Sequence, residues 1–225
     1  MKRFAYATLA FLSLGVALYA VVAYTALPLG ALVHPDMKEN FNAHAWAIRT
    51  HIFAAVLALA LGPFQFLPRL RARWPRAHRI MGRLYLGVGV LVGGASGLYV
   101  AQFAYGGTVS RVGFSLLAVA WLYTGYRAYS AIRRGDVATH RAWMTRNFAL
   151  TFAAVTLRIW LPSSMVAGIA FEDAYRVIAW LCWVPNLLAA EVWLRLRNMT
   201  PSPTLRSLIE APEGTPGGGR CFSRS

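Results

Sequence analysis

Long apolar stretches alternate with short polar ones along most of the chain. Residues 4–33, 44–66, 83–105, 111–131, 145–170 and 174–194 are the apolar runs. Each comes near the ~20 residues that a helix needs to cross the hydrocarbon layer of a bilayer. The pattern predicts an all-α, polytopic membrane helix bundle of about six transmembrane helices, with helices two to five at its core. The first run follows Lys2-Arg3 and so resembles a signal peptide. It is longer than a signal h-region of roughly 7–15 residues, which predicts an uncleaved helix with Pro28 and Gly30 near its outer end. Gly106-Gly107 is expected to make a tight turn, and Pro162 to kink or end helix five. Pro185 falls within helix six. From Asn198 the chain is rich in Pro, Gly and Ser, which predicts a disordered cytoplasmic tail over 198–225.

Charge adds an orientation. Of the 225 residues 57% are hydrophobic and only 14% charged, yet the net charge is +15. Such an excess would suit a nucleic-acid partner, but its placement argues against one. Lys2, Arg3, the six arginines from Arg69 to Arg83, the five from Arg127 to Arg146, and the basic residues of the tail fall on one side of the alternating runs. The loops of the other side carry Asp36, Glu39, Glu172 and Asp173, with little besides Lys38 and Arg111 to oppose them. This is the positive-inside distribution, which predicts both termini in the cytoplasm of a bacterial inner membrane. The lipid bilayer is then the expected partner, with anionic headgroups within reach of the basic loops. Arginine outnumbers lysine 21 to two, an imbalance associated with GC-rich bacterial genomes. Cys182 and Cys221 fall in a helix and in the tail, so no disulfide is expected.

One short motif occurs twice. His78-Arg79-Ile80-Met81-Gly82-Arg83 introduces helix three, and His140-Arg141-Ala142-Trp143-Met144-Thr145-Arg146 introduces helix five. Both read His-Arg, then Met, then Arg two residues later. Helices two–three and four–five therefore look like a diverged repeat. His78 and His140 come from different helices at one depth. Such a pair can hold one haem b iron from both sides, or engage a quinone, and imidazole can also pass protons. A His-Arg pair at the membrane interface can equally hold lipid phosphates or cap the bundle, with Arg79, Arg83, Arg141 and Arg146 as its cations. His51 lies one helix face below His44, about 10 Å deeper. It cannot share an iron with His78, and a second haem would need His34 from a loop. His51, beside Arg49, is expected to be a hydrogen-bonded polar residue facing the bundle.

Two charges fall within apolar runs, where charge is costly and usually turned inward. Arg158 would pair with Glu172 or Asp173, or bind an anionic ligand group. Glu191 would close a salt bridge with Arg146, Arg141 or Arg127. Gly89, Gly93 and Gly97, at four-residue spacing, form a stripe for close helix approach. The sequence contains no Walker loop, dinucleotide glycine fingerprint, zincin pair or serine nucleophile elbow.

Several of these residues occur together in a recognisable combination. Gly62-Pro63-Phe64-Gln65-Phe66, Pro75, His78-Arg79, Gly82-Arg83 and Tyr85 resemble a bacterial membrane family, the "domain of unknown function" family twenty-three-zero-six. So do Trp121, Gly135-Asp136, His140-Arg141, Trp143-Met144, Arg146 and Arg158. The resemblance covers roughly residues 44–196. It implies a multi-helix membrane protein and carries over no catalytic residue. Three functional readings stand beside it: a redox protein, a transporter or anionic-lipid-handling protein, and a structural accessory subunit.

Overall fold

The computed structural model describes residues 2–199, and the tail expected to be disordered lies almost wholly outside them. Among the described residues every regular element is helical. Helix α1 (Lys2–Ala26) is followed by a 3₁₀ turn (Pro35–Met37) and a short α2 (Lys38–Ala43). Next come α3 (Ala45–Gln65) and α4 (Pro68–Arg73). A continuous rod follows, made of α5 (Pro75–Leu84), a π segment (Tyr85–Val92) and α6 (Gly93–Ala101). Helices α7 (Gly107–Arg133), α8 (Val137–Thr151), α9 (Ala153–Val166), α10 (Phe171–Leu181) and α11 (Val184–Met199) complete the order. Contacts divide the chain between Glu191 and Val192. In the second unit Arg197 lies over the Trp193 ring at 5.5 Å.

Several boundaries differ from those the apolar pattern predicts. Helix α1 ends at Ala26, seven residues short of the apolar run, because Pro28 and the left-handed Gly30 (φ 86°) turn the chain. The third rod begins at Pro75, not near residue 83, so His78 and Arg79 are helical. Proline suits the first position of a helix, where its missing N–H removes no bond. Helix α8 likewise begins at Val137, not at 145. Its break falls at Phe152, while Pro162 is carried inside α9. The last apolar run breaks at Cys182–Trp183, just ahead of Pro185, whose ring cannot sit against the carbonyl four residues earlier. Thr156 and Asn186 then hydrogen-bond the Cys182 carbonyl, at 2.5 and 2.9 Å. In hydrocarbon a carbonyl released by a break must find such partners within the protein.

Five helical segments are long and apolar enough to span a membrane: Phe4–Ala26, Ala45–Gln65, Pro75–Ala101, Val137–Val166 and Phe171–Arg197. Helix α7 is not among these five, although its 27 residues reach about 40 Å. The reason is visible in its buried stripe, Ser110, Gly113, Ala118, Trp121, Thr124, Gly125, Ala128 and Ala131. Small and polar side chains dominate that face because other helices, not lipid, cover it.

Packing is antiparallel between consecutive rods. Gly89, Gly93 and Gly97 meet Ala58, Ala54 and His51 of α3 in turn, as the stripe predicts. An added β-carbon would stand 2.8 Å from Ala58 at Gly89 and 2.7 Å from His51 at Gly97. The same rod meets α7 through Gly94 against Leu122 and Gly125 against Val90. Helix α1 joins α3 with Tyr6 donating to the Pro63 carbonyl at 2.8 Å, and with Ala17 packed into a cluster with Leu59 and Val155. The arginines of α4, α5 and the α7–α8 turn therefore share one end of the bundle. Asp36, Glu172 and Asp173 share the other.

If α7 crosses the membrane with its neighbours, a reporter fused at Gly106 and one fused at Gly135 will report opposite sides. Labelling of both positions from the same side would show that α7 does not span.

Candidate functional site

The two His-Arg motifs occupy matching places. His78 is the fourth residue of α5 and His140 the fourth of α8, and each donates its backbone N–H to the residue just before its helix, Trp74 or Asp136. Their surroundings differ. The α8 start is capped by Asp136, whose carboxylate accepts from the Thr139 N–H at 2.9 Å. That bond, with further backbone N–H groups and Arg134, holds the Asp136 carboxyl below its ordinary range. Its contribution is complete above the ordinary carboxylate pKa and is lost as pH falls through the lowered folded value. The α5 start has no side-chain cap.

At this end His78 lies within electrostatic reach of Arg71 and His140. Arg71 is near Arg141; burial and that second cation both push the Arg71 pKa down. Arg71 is anchored by donating to the Gln65 carbonyl at 3.1 Å. His140 Nδ1 bonds the Ala128 carbonyl at 2.9 Å, which fixes the ring. Two enclosed nitrogens lack partners, Gln65 Nε2 and His78 Nδ1. No carboxylate among the described residues forms an ion pair with Arg71 or Arg141. The structure thus gathers His78, His140 and Arg141 and adds Arg71 and Gln65. Arg79 and Arg83 are exposed and make no ion pair among the described residues.

Arg146 belongs elsewhere. It grips Glu191 bidentately at 2.5 and 2.9 Å, as one of the expected pairings. Its guanidinium also lies 4.7 Å from the Trp143 ring centroid, and Arg127 lies 4.6 Å from the same ring. Fork-on-carboxylate geometry makes this a strong clamp between α8 and α11.

The bundle centre holds a polar network that the sequence pattern does not reveal. Tyr85 donates its hydroxyl to Asn147 Oδ1 at 2.8 Å, and Thr151 Oγ1 lies 2.8 Å from the same phenol oxygen. Trp121 Nε1 donates to Thr151 at 2.9 Å. Asn147 Nδ2 donates to the Trp121 carbonyl at 2.8 Å and to Thr124 Oγ1 at 2.9 Å. Tyr85 and Asn147 are wholly buried. Tyr85 and Trp121 stand out in the sequence only as motif residues, and Asn147, Thr124 and Thr151 do not stand out there as candidates. An asparagine within an apolar run was the available signal. Tyr85 also opens the π segment, a local widening that often accompanies functional positions.

The remaining candidates lie farther along the rods. His51 Nδ1 meets the Gly93 carbonyl at 2.8 Å, the hydrogen-bonded role expected of it. Arg49 is exposed. Arg158 does not pair with Glu172 or Asp173, because Arg176, on the same helix as both acids, takes them. Instead Arg158 donates to the Ala154 carbonyl at 2.9 Å and faces the Tyr19 ring at 5.8 Å. At the acidic end a cleft of about 420 Å³ is lined by Asp36, Asn40, Tyr105, Arg111 and Glu172, among others. Tyr105 donates to Asp36 there at 2.9 Å, and that bond raises the phenol pKa.

Long apolar rods packed through small residues around a hydrogen-bonded polar centre, with a basic end opposed to an acidic one, define an integral membrane helix bundle. Residues 48–194 match the family model described as "Predicted membrane protein (DUF2306)", and the chain belongs to that family. No curated protein and no solved structure matches it.

Replacing Asn147 with Ala leaves the Trp121 carbonyl and the Tyr85 hydroxyl short of a partner. It should lower stability by about 1–3 kcal/mol, read as a lower midpoint of thermal unfolding in detergent. An unchanged midpoint would show that the network is not stabilising.

Proposed function

We propose that this membrane protein binds the phosphate of an anionic lipid at its arginine-rich end. One observation carries the reading: Arg71, His78, His140 and Arg141 converge from α4, α5 and α8 with no carboxylate paired to either arginine among the described residues. Cations confined together repel one another, and a phosphate relieves that repulsion while accepting several charge-assisted hydrogen bonds. Gln65 Nε2 and His78 Nδ1 are further donors without partners beside them. Anionic headgroups occupy this depth in a bilayer, and each nearby basic residue adds about 1 kcal/mol of attraction to such a surface. On this reading the cytoplasmic face of a bacterial inner membrane supplies the ligand, and both termini lie on that side.

The test is lipid binding by the full chain in phosphatidylcholine nanodiscs doped with phosphatidylglycerol, followed by native mass spectrometry. Removing two cations with Arg71→Gln and Arg141→Gln should weaken anionic-lipid retention about thirtyfold, from roughly 2 kcal/mol. Arg79→Gln should change it far less. Equal retention by the double variant would overturn the proposal.

A redox reading rests on a different observation. The Ala128 carbonyl orients His140 through Nδ1 and leaves Nε2 unbonded, the arrangement seen in ligating histidines. His78 and His140 would then hold one haem b or frame a quinone. A haem absorption band lost in His78→Ala and in His140→Ala would support it. A colourless preparation from haem-supplemented cells would remove the haem form, and an unchanged quinone content in both variants the other.

A further inference from the structure

The cationic cluster at the arginine-rich end is graded in depth. Arg141 is exposed, Arg71, His78 and His140 are half-buried, and Gln65 is only 6% exposed. Gln65 ends α3, and its side chain makes no hydrogen bond among the described residues, with Nε2 fully enclosed. Its amide oxygen lies 3.3 Å from where a β-carbon on Gly82 would stand. Gly82 and His78 are four residues apart on α5 and share a face of that helix. The second enclosed nitrogen without a partner, His78 Nδ1, therefore belongs to the helix face that Gln65 covers. Arg71 is tied to the main-chain carbonyl of Gln65 at 3.1 Å. Two unbonded nitrogens thus accompany Arg71 at the end of α3, deeper than Arg141. Buried polar groups nearly always find a partner, so two orphans side by side call for one. A neutral imidazole carries its proton on the nitrogen that faces an acceptor, so an anion beside Nδ1 makes it a donor.

Phosphate chemistry then separates two classes of anionic lipid. A phosphodiester headgroup has carbon on two of its four oxygens and a single negative charge. Its free oxygens can meet Arg71 and Arg141, but its second ester arm blocks the approach to the deeper nitrogens. A terminal phosphate has carbon on one oxygen only, three free acceptor oxygens, and a charge of roughly −1.5 to −2 near pH 7. It can hold both arginines and still turn an oxygen inward to Gln65 Nε2 and His78 Nδ1. Charge-assisted bonds made at that depth, away from water, are the strong ones.

Resting on the reading of this end as a phosphate site, we propose that it selects a lipid with a terminal phosphate monoester, such as phosphatidic acid, over phosphodiester lipids. Gln65 and His78 set the preference, and Arg71 and Arg141 supply the attraction common to both classes.

Phosphatidic acid and phosphatidylglycerol are doped in turn, at equal fraction, into phosphatidylcholine nanodiscs holding the full chain, and retained lipid is counted by native mass spectrometry. The unsubstituted protein should retain phosphatidic acid at least about tenfold better, the gain from an added charge-assisted hydrogen bond. Gln65→Leu removes the amide at nearly constant volume and breaks no hydrogen bond of the side chain, so the thermal midpoint should hold. It should cut retention of phosphatidic acid about threefold or more and change phosphatidylglycerol by less than about twofold. His78→Phe should act in the same way. His78→Asn, whose amide nitrogen stands near the place of Nδ1, should restore most of the preference. Equal retention of the two lipids by the unsubstituted protein, or an undiminished preference in either Gln65→Leu or His78→Phe, would overturn the proposal. If retention is equal and the Arg71→Gln, Arg141→Gln protein loses both lipids, the broader phosphate reading stands without the monoester preference. If that protein loses neither, both readings fall. Displacement of phosphatidic acid by glycerol 3-phosphate at equal concentration would overturn the assignment to a lipid.

Discussion

Asn147 is the side chain around which the bundle is arranged. Its amide oxygen takes the Tyr85 hydroxyl, and its amide nitrogen serves the Trp121 carbonyl and Thr124, so three rods are tied at one point. No water is at hand in hydrocarbon to substitute for a missing partner, so such a group is either fully bonded or strongly destabilising. This one is fully bonded. The close approach that allows it comes from glycine: Gly62 faces Phe148, Gly89 faces Ala58, and Gly125 faces Val90 and Asn147. Larger residues at those places would separate the rods before the hydrogen bonds formed.

Arginine serves three distinct purposes in this chain. Exposed arginines such as Arg79 and Arg83 set the asymmetry of charge between the two ends. Arg146 is used structurally, locked by Glu191 and stacked on Trp143. Among the described residues Arg71, Arg141 and Arg158 have no such carboxylate, and the proposed phosphate site rests on the first two. The repeated motif illustrates the division. His78-Arg79 and His140-Arg141 start their helices at the same register, yet only Arg141 joins the cationic cluster, because α4 brings Arg71 to that side. Capping differs too: Asp136 closes the α8 start, while α5 begins with a proline and no cap.

The breaks in the last two long rods tell a related story. Pro162 lies within α9 without ending it, whereas Phe152 interrupts the same rod where Thr151 is drawn into the central network. At Cys182 the interruption ahead of Pro185 is filled by Thr156 and Asn186 from two different helices. Proline alone is thus a poor guide to where a membrane helix yields. What decides is whether neighbouring side chains can take up the carbonyls that a break releases.

Hydrophobic run length and arginine placement were sufficient to determine that this is a polytopic helical membrane protein with one basic end, since both follow from transfer energies read residue by residue. The glycine stripe was also legible, because helical spacing constrains it locally, and so was the need of Glu191 for an arginine, though not which of Arg146, Arg141 and Arg127 would meet it. The motif histidines could be placed at one depth from sequence, but their unequal surroundings could not. Which arginine found an acid, which polar residues met at Asn147, and which way Arg158 turned were decided only by tertiary structure. Each depends on a side chain from a distant helix arriving within about 3 Å, and no local pattern carries that information.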